Sequence, residues 1–511
     1  METYDLFIVG GGINGVGIAR DAAGRGLSVM LCEKDDLAQG TSSRSGKLVH
    51  GGLRYLEYYE FRLVREALIE RETLLNSASH IIWPLRFVLP HSPKDRPAWL
   101  IRLGLFIYDH LGGRKKLPPT RSLNLRKDPE GIPLKDKFKK GFEYSDCWVD
   151  DARLVVLNAL AAAEQGARIC TQTACTTIRR NGDLWQVQMT NSHDGTKSEV
   201  NARVIVNAAG PWVNDVIGRV AGANSTRNVR LVKGSHIIVP KFWDGDHAYL
   251  VQNDDKRVIF INPYEGDKAL IGTTDVSYEG PLDEVSPDQS EIDYLIAAVN
   301  RYFSKELKQT DVLQSFSGVR PLFDDGNGDP SAVTRDYVFD LSMERGAPIL
   351  NIFGGKITTF RKLAEHALQR LVPIFPEIGP DWTAGGVLPG GDIEGGDFNR
   401  FLRSTKTKLE FLPAALVTHY ARLYGTRLFK LLKDAQQTDE LGEQFGPNFY
   451  EIEARYLIDH EWAKSAEDIL KRRTKHGLHM SDVEISRFEQ WFRERRDEPA
   501  ASFSTSKQSI S

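Results

Sequence analysis

Three glycines, Gly10, Gly12 and Gly15, form the most specific chemical pattern in the chain. In a G-x-G-x-x-G turn the first glycine permits a tight bend and the second lets the backbone approach a pyrophosphate. The third lets the following helix pack closely on the preceding strand, so that phosphates meet the free N–H groups of a helix N-terminus. Glu33 closes the next apolar run, where an acid can accept hydrogen bonds from an adenosine ribose. These are the residues of a dinucleotide site, and they require a strand, a helix and a second strand to hold them. The flanking pattern supplies all three: an apolar run from Leu6 to Val9, a helix ending near Gly24 to Gly26, and a second apolar run from Leu27 to Cys32.

Further along, Thr41 to Ser45 is rich in small hydroxyl residues, and Gly46 to Tyr55 adds Lys47, His50, Gly51, Gly52 and Arg54. Such a segment can lie flat against a large planar ligand and hydrogen-bond its polar edge. Asp150 or Asp151 caps a predicted helix to about Gln165, followed by strands over Ala167 to Thr171 and Trp185 to Thr190. The strand Ala202 to Asn207 then closes on Ala208-Ala209-Gly210. From Asn228 to about Pro348 the pattern turns to short strands and turns, with polar groups at their ends: Lys233 to His236, Thr273 to Asp275, Ser317 to Pro321 and Thr334 to Tyr337. Ile349 to Phe353, Gly354-Gly355-Lys356 and Thr358-Thr359 repeat the strand, glycine turn and helix arrangement. Pro84 to Pro97 reads as irregular, Val387 to Gly396 as a linker, and Phe401 to about Arg495 as helical. In Asp324 to Pro330, counted from Asp325, Pro330 occupies the place where a calcium loop needs its glycine and no glutamate closes the loop, so the stretch reads as a surface turn and no metal site is expected.

At 511 residues, with 41% hydrophobic and 26% charged content, the chain has material for two or three soluble domains. A net charge of −3 gives no electrostatic case for nucleic acid. Cys32, Cys147, Cys170 and Cys175 show no C-x-x-C spacing and read as reduced thiols of a cytoplasmic protein. The first strand begins too early for an export signal, and the best candidate for a membrane span, Trp99 to Tyr108, is short and interrupted by Arg102 and Gly104. Its apolar and aromatic residues, followed by Arg114, Lys115 and Lys116, suit either an interfacial helix on an anionic membrane or a core helix with a basic loop.

Together with Glu143 to Asp151, these motifs resemble the FAD-dependent, respiratory glycerol-3-phosphate dehydrogenases over nearly the whole chain, most closely the bacterial type. The resemblance to the bacterial type implies that no transit segment and no calcium-binding extension, as in the mitochondrial members, is expected. The resemblance implies a doubly wound, Rossmann-like FAD-binding domain with an inserted antiparallel-sheet substrate domain and a C-terminal helical domain. The expected divisions are 1–80, 150–220 and 350–385 for FAD, 81–149 and 221–349 for substrate, 386–396 as linker, 397–495 as the helical domain and 496–511 as a disordered tail. Cofactor contacts are expected from Gly10, Gly12, Asn14, Gly15, Glu33, Thr41, Ser42, Ser43, Lys47, His50, Gly51, Gly52, Ala209, Gly210, Gly354, Gly355, Lys356 and Thr358.

The chemistry implied is oxidation of sn-glycerol 3-phosphate to dihydroxyacetone phosphate, with electrons passing through FAD to ubiquinone in a peripherally bound enzyme at the cytoplasmic face of the membrane. Oxidising a secondary alcohol needs a hydride acceptor that no side chain provides, and a base for the hydroxyl proton; His50 and His236 are equal candidates for the base. Arg54, Arg320 and Arg335 can clamp a phosphate, Tyr55 and Thr274 can add neutral hydrogen bonds, and Lys356 can stabilise reduced flavin or a developing alkoxide. Three other readings share the motifs: an oxidase that delivers electrons to oxygen, an amine or amino-acid oxidase, and a flavin-bound membrane redox sensor without turnover. A homodimer through the helical domain is compatible with each.

Overall fold

The computed structural model describes residues 1–92, 96–219, 228–324, 336–343 and 346–497. Arg335, most of the Asp324 to Pro330 turn and the tail beyond residue 497 lie outside the described residues.

The first strand, Thr3–Val9, is apolar on both faces because it is covered on both. Leu6 and Ile8 pack into a helical layer, while Tyr4, Phe7 and Val9 pack into a second, smaller core on the opposite side. The strand pairs in parallel with Val29–Cys32 on one side and with Lys197–Asn207 on the other. Ile349–Phe353 and Arg168–Cys170 extend the parallel sheet outward, and Val338–Ser342 adds an antiparallel edge. The helices Ile13–Gly24, Asp151–Glu164 and Phe360–Leu371 form one covering layer. The meander Thr173–Asn181, Leu184–Asn191 and Lys197–Asn207 covers the other side through Ile178, Trp185, Val187 and Met189. Val338–Ser342 thus sits in the nucleotide-side sheet, although the sequence grouped it with the substrate segments.

The second sheet has ten strands and is antiparallel except where Ala248 and Tyr249 run parallel to Phe87 and Val88. Helix Gln289–Tyr302, started by a capping box of Asp288 and Glu291, closes one face over Ile237, Ile259 and Ile271. The irregular stretch expected over Pro84 to Pro97 is corrected by the strand Ile82–His91, which pairs along its whole length with Lys140–Val149. Its other neighbour contacts only Phe87 and Val88, so Pro84 and Pro90 lie where the strand has a free side and no ladder bond is lost.

The C-terminal unit is built mainly of helices, among them Ala414–Tyr424, Glu451–His460 and Asp482–Asp497, around a core of its own. Buried ion pairs fasten it to the nucleotide side. Arg153 meets Glu461, Asp36 accepts from Arg472 at 2.6 Å and from Arg473 at 2.7 Å, and Asp150 takes Lys475 at 2.6 Å.

Candidate functional site

The two sheets and the glycine turns enclose one cleft of about 1770 Å³, well above the roughly 300–1,000 Å³ of a drug-sized ligand pocket. At its nucleotide end Gly10 has φ +111°, and a Cβ there would lie 2.6 Å from the Ala208 carbonyl oxygen. A Cβ on Gly15 would lie 2.0 Å from the Gly10 carbonyl oxygen, so the helix rests directly on the turn. Glu33 accepts from the Gly11 N–H at 2.7 Å and the Asp35 N–H at 2.9 Å, while burial raises its pKa. These bonds fix the carboxylate at the strand end.

The second glycine turn meets the first through Asn14, whose Nδ2 donates to the Gly354 carbonyl at 3.1 Å. Gly12, Thr41, Ser42, Ala209, Gly210, Gly355, Lys356 and Thr358 line the same cleft. Thr41 donates to the Val319 carbonyl at 2.6 Å, and Ser42 Oγ accepts from the Ile13 N–H at 3.0 Å, so the flavin-facing segment expected from sequence bridges both sheets. Gly51 and Gly52 also line it; the Gly51 N–H donates to Tyr108 at 2.8 Å.

Three expected contacts fall elsewhere. Gly15 packs inside the turn, and Ser43 and Lys47 lie behind the cleft wall. Lys47 Nζ pairs with buried Asp151 at 2.7 Å and donates to the Ser43 carbonyl at 3.1 Å. Its action on the cleft is therefore indirect, through the backbone it holds. Asp151, which also accepts from Ser45 Oγ at 2.7 Å, holds this segment from behind, a role that sequence reasoning passed over. Its signal was the second carboxylate of Asp150-Asp151, since the first alone caps the helix by accepting from the Arg153 N–H.

At the other end His50, Arg54, Tyr55, His236, Thr274, Arg320 and Lys356 converge on the cleft from five separate stretches of chain. Lys356 Nζ lies 4.4 Å from the Tyr55 ring centroid. Arg320 Nη2 donates to the Thr274 carbonyl at 3.0 Å and to Asp275 at 3.1 Å. The Thr274 hydroxyl is turned inward: it donates to Glu291 at 2.6 Å and accepts from the Ser235 N–H at 2.9 Å. It shapes the wall and leaves no proton for a ligand.

Burial lowers the pKa of both histidines. It pushes His236 down to about 3, with Lys47 and Arg320 adding to the effect. His50 is lowered by burial and by Lys356 and Arg71, and Asp146 opposes this. Both are therefore neutral at pH 7 and able to accept a proton.

FAD fits the nucleotide end on the protein's own features. Helix Ile13–Gly24 carries no acidic side chain in its first turn and no side-chain cap from its N-cap residue, Gly12, leaving its positive end to an anion. The buried Asn14 Oδ1 between the two turns lacks a partner among the described residues.

Comparisons with known proteins agree. A family model described as FAD dependent oxidoreductase matches residues 5–361, and one described as the C-terminal domain of alpha-glycerophosphate oxidase matches residues 382–487. The chain is 67% identical to the D-erythritol 1-phosphate dehydrogenase of Brucella abortus, over 96% of this chain and 98% of that one. It is 51% identical to the aerobic glycerol-3-phosphate dehydrogenase of Escherichia coli, over 96% and 97%. A solved structure of the glycerol-3-phosphate dehydrogenase from Bacillus halodurans complexed with FAD matches with a TM-score of 0.76 at 27% identity, covering 96% of this chain and 94% of that one. With its glycine turns, its FAD-sized cleft and its helical C-terminal unit, the chain belongs to the FAD-dependent oxidoreductase family and is an enzyme that uses FAD.

Proposed function

We propose that the enzyme oxidises a secondary hydroxyl of a short polyol monophosphate to a ketone and passes the electrons to a membrane quinone. The observation that carries this reading is the convergence of Arg54, Arg320, Lys356 and a neutral His50 beside the dinucleotide turns. The relatives at 51–52% identity support sn-glycerol 3-phosphate, giving dihydroxyacetone phosphate. The relative at 67% supports a second substrate with one more carbinol group, D-erythritol 1-phosphate, and on that identity we expect it to give the higher kcat/KM. Anaerobic addition of each phosphate, with glycerol and erythritol as controls, tests both. Bleaching by the phosphates alone, reversed by a soluble quinone, supports the reading; bleaching only by an amine would move it to the amine oxidases.

Bound FAD supplies the hydride acceptor. Arg54 and Arg320 bind the phosphate, with Arg335 as a third cation, and Lys356 stabilises negative charge on the reacting oxygen. Arg320→Ala should raise KM by roughly 10–150-fold, the loss of about 1.5–3 kcal/mol for a charge-assisted contact. An unchanged KM in a folded, flavin-loaded variant would remove Arg320 from the phosphate site.

His50 is the better base, because a value near 3 makes the His236 imidazole too weak a proton acceptor at neutral pH. The competent form of His50 is neutral and its pKa is lowered, so flavin reduction should stay flat as pH falls to 6.5 and decline only below it. Stopped-flow reduction against pH reads this directly; a decline that begins above pH 6.5 would contradict it.

No helix among the described residues is long and apolar enough to cross a membrane. Helix Ala98–Leu111 packs Leu105 and Tyr108 inward and exposes Trp99, Leu103 and Phe106 along one stripe, beside exposed Tyr58, Tyr59 and Phe61. This supports peripheral docking at a membrane, where the quinone resides. Trp99→Ser with Phe106→Ser should lower vesicle binding by about 1.5–3 kcal/mol per residue withdrawn, while turnover with a soluble quinone persists. Equal vesicle binding by the double variant would rule the stripe out.

A further inference from the structure

The strand Val258–Tyr264 carries one amide side chain at its centre, Asn262, in the run Ile259-Phe260-Ile261-Asn262. Strand alternation puts Phe260 and Asn262 on one face, and the Phe260 ring meets the His50 ring edge-on with centroids 5.8 Å apart. That face is turned to the reacting region. His236 belongs to the same row: it and Phe260 are both in register with Gly272, and a Cβ on Gly272 would lie 2.1 Å from His236 Cδ2. The imidazole occupies the space that the glycine leaves.

Asn262 Nδ2 donates to the Gly46 carbonyl at 3.2 Å. A carbonyl only accepts, so this bond fixes the amide with Oδ1 directed away from Gly46. Asn262 is 1% exposed and lines the cleft, yet Oδ1 has no donor among the described residues. A buried acceptor in that condition is costly unless a ligand supplies the proton.

We propose that Asn262 is a specificity-determining residue whose Oδ1 accepts a hydrogen bond from a substrate hydroxyl remote from the phosphate. The inference rests on the polyol phosphate reading and deepens it. Once the guanidinium groups hold the phosphate, the rest of such a substrate carries hydroxyls whose O–H groups can donate, and a buried acceptor still lacking a donor suits that tail. An amide also keeps this part of the cleft uncharged, so it does not compete for the phosphate-binding cations.

The test compares sn-glycerol 3-phosphate with its analogue lacking the terminal hydroxyl, propane-1,2-diol 1-phosphate, in FAD-loaded wild type, Asn262→Leu and Asn262→Ala. The leucine variant keeps the volume, and the alanine variant carries the measurement if leucine disturbs FAD loading. In the variants kcat/KM for sn-glycerol 3-phosphate should fall roughly tenfold, the equivalent of one lost hydrogen bond, while that for the analogue stays within about twofold. The flavin spectrum and midpoint potential should not move. An equal fall for both compounds with a shifted flavin spectrum would assign Oδ1 to the cofactor and overturn the proposal, as would no fall for either. A wild-type flavin that no polyol phosphate bleaches would overturn the functional reading and this proposal with it. A wild type that turns over, with an unchanged preference in the variants, would overturn this proposal alone.

Discussion

Gly15→Val should produce a chain that binds FAD much more weakly. Any Cβ at this position lies 2.0 Å from the Gly10 carbonyl oxygen, a backbone atom that cannot rotate away. Relief requires the helix Ile13–Gly24 to lift from the strand Thr3–Val9. That helix is pinned on its far side, where Gly17 abuts Phe360 and Gly24 abuts Trp382. Overpacking of a fixed core typically costs about 1–3 kcal/mol, and here the strain falls on the N–H groups that hold a pyrophosphate, so FAD affinity should drop by roughly 5–150-fold. Visible absorbance of the purified variant, before and after incubation with excess FAD, measures the loss. Gly104→Ala is the control: an added Cβ there meets nothing within 4 Å, and helix propensity alone predicts a gain of about 0.8–1 kcal/mol. Undiminished FAD affinity in Gly15→Val would mean that the turn does not carry the cofactor.

The second large effect belongs to the join between the nucleotide side and the C-terminal unit. Arg153 and Glu461 have fully buried side chains and meet through two contacts, one of them Nη2 to Oε1 at 3.0 Å; Arg153 Nη2 also donates to the Leu423 carbonyl at 3.1 Å. Removing one partner strands a charge in a dry interface and should cost about 3–5 kcal/mol. Arg153→Met and Glu461→Gln should each lower the unfolding midpoint sharply. The double variant should recover part of the loss, because neither charge is then left alone. Thermal melts followed by intrinsic fluorescence give all three values. Single variants that melt with the wild type would show that the join draws its stability from its apolar contacts instead.

The sequence by itself determined the dinucleotide end. The chemistry of Gly10, Gly12 and Gly15 resides in a backbone turn of six residues, and the strand and helix that frame it are set by local apolar periodicity. The same holds for the second turn at Gly354 and Gly355 and for the acid at Glu33. Prolines misled locally, because Pro84 and Pro90 are compatible with a strand only where a neighbouring strand is missing, and that depends on how far Ala248–Gln252 reaches. Tertiary structure alone decided what each cation and hydroxyl faces. Lys47 is claimed by Asp151, 104 positions away, and the Thr274 hydroxyl by Glu291, while Arg320 remains on the cleft. It also lowered the basicity of both histidines, because the burial responsible comes from segments distant in sequence. The division follows range: hydrogen bonds within a turn are written in adjacent residues, whereas burial and ion pairing arise only when distant segments exclude water together.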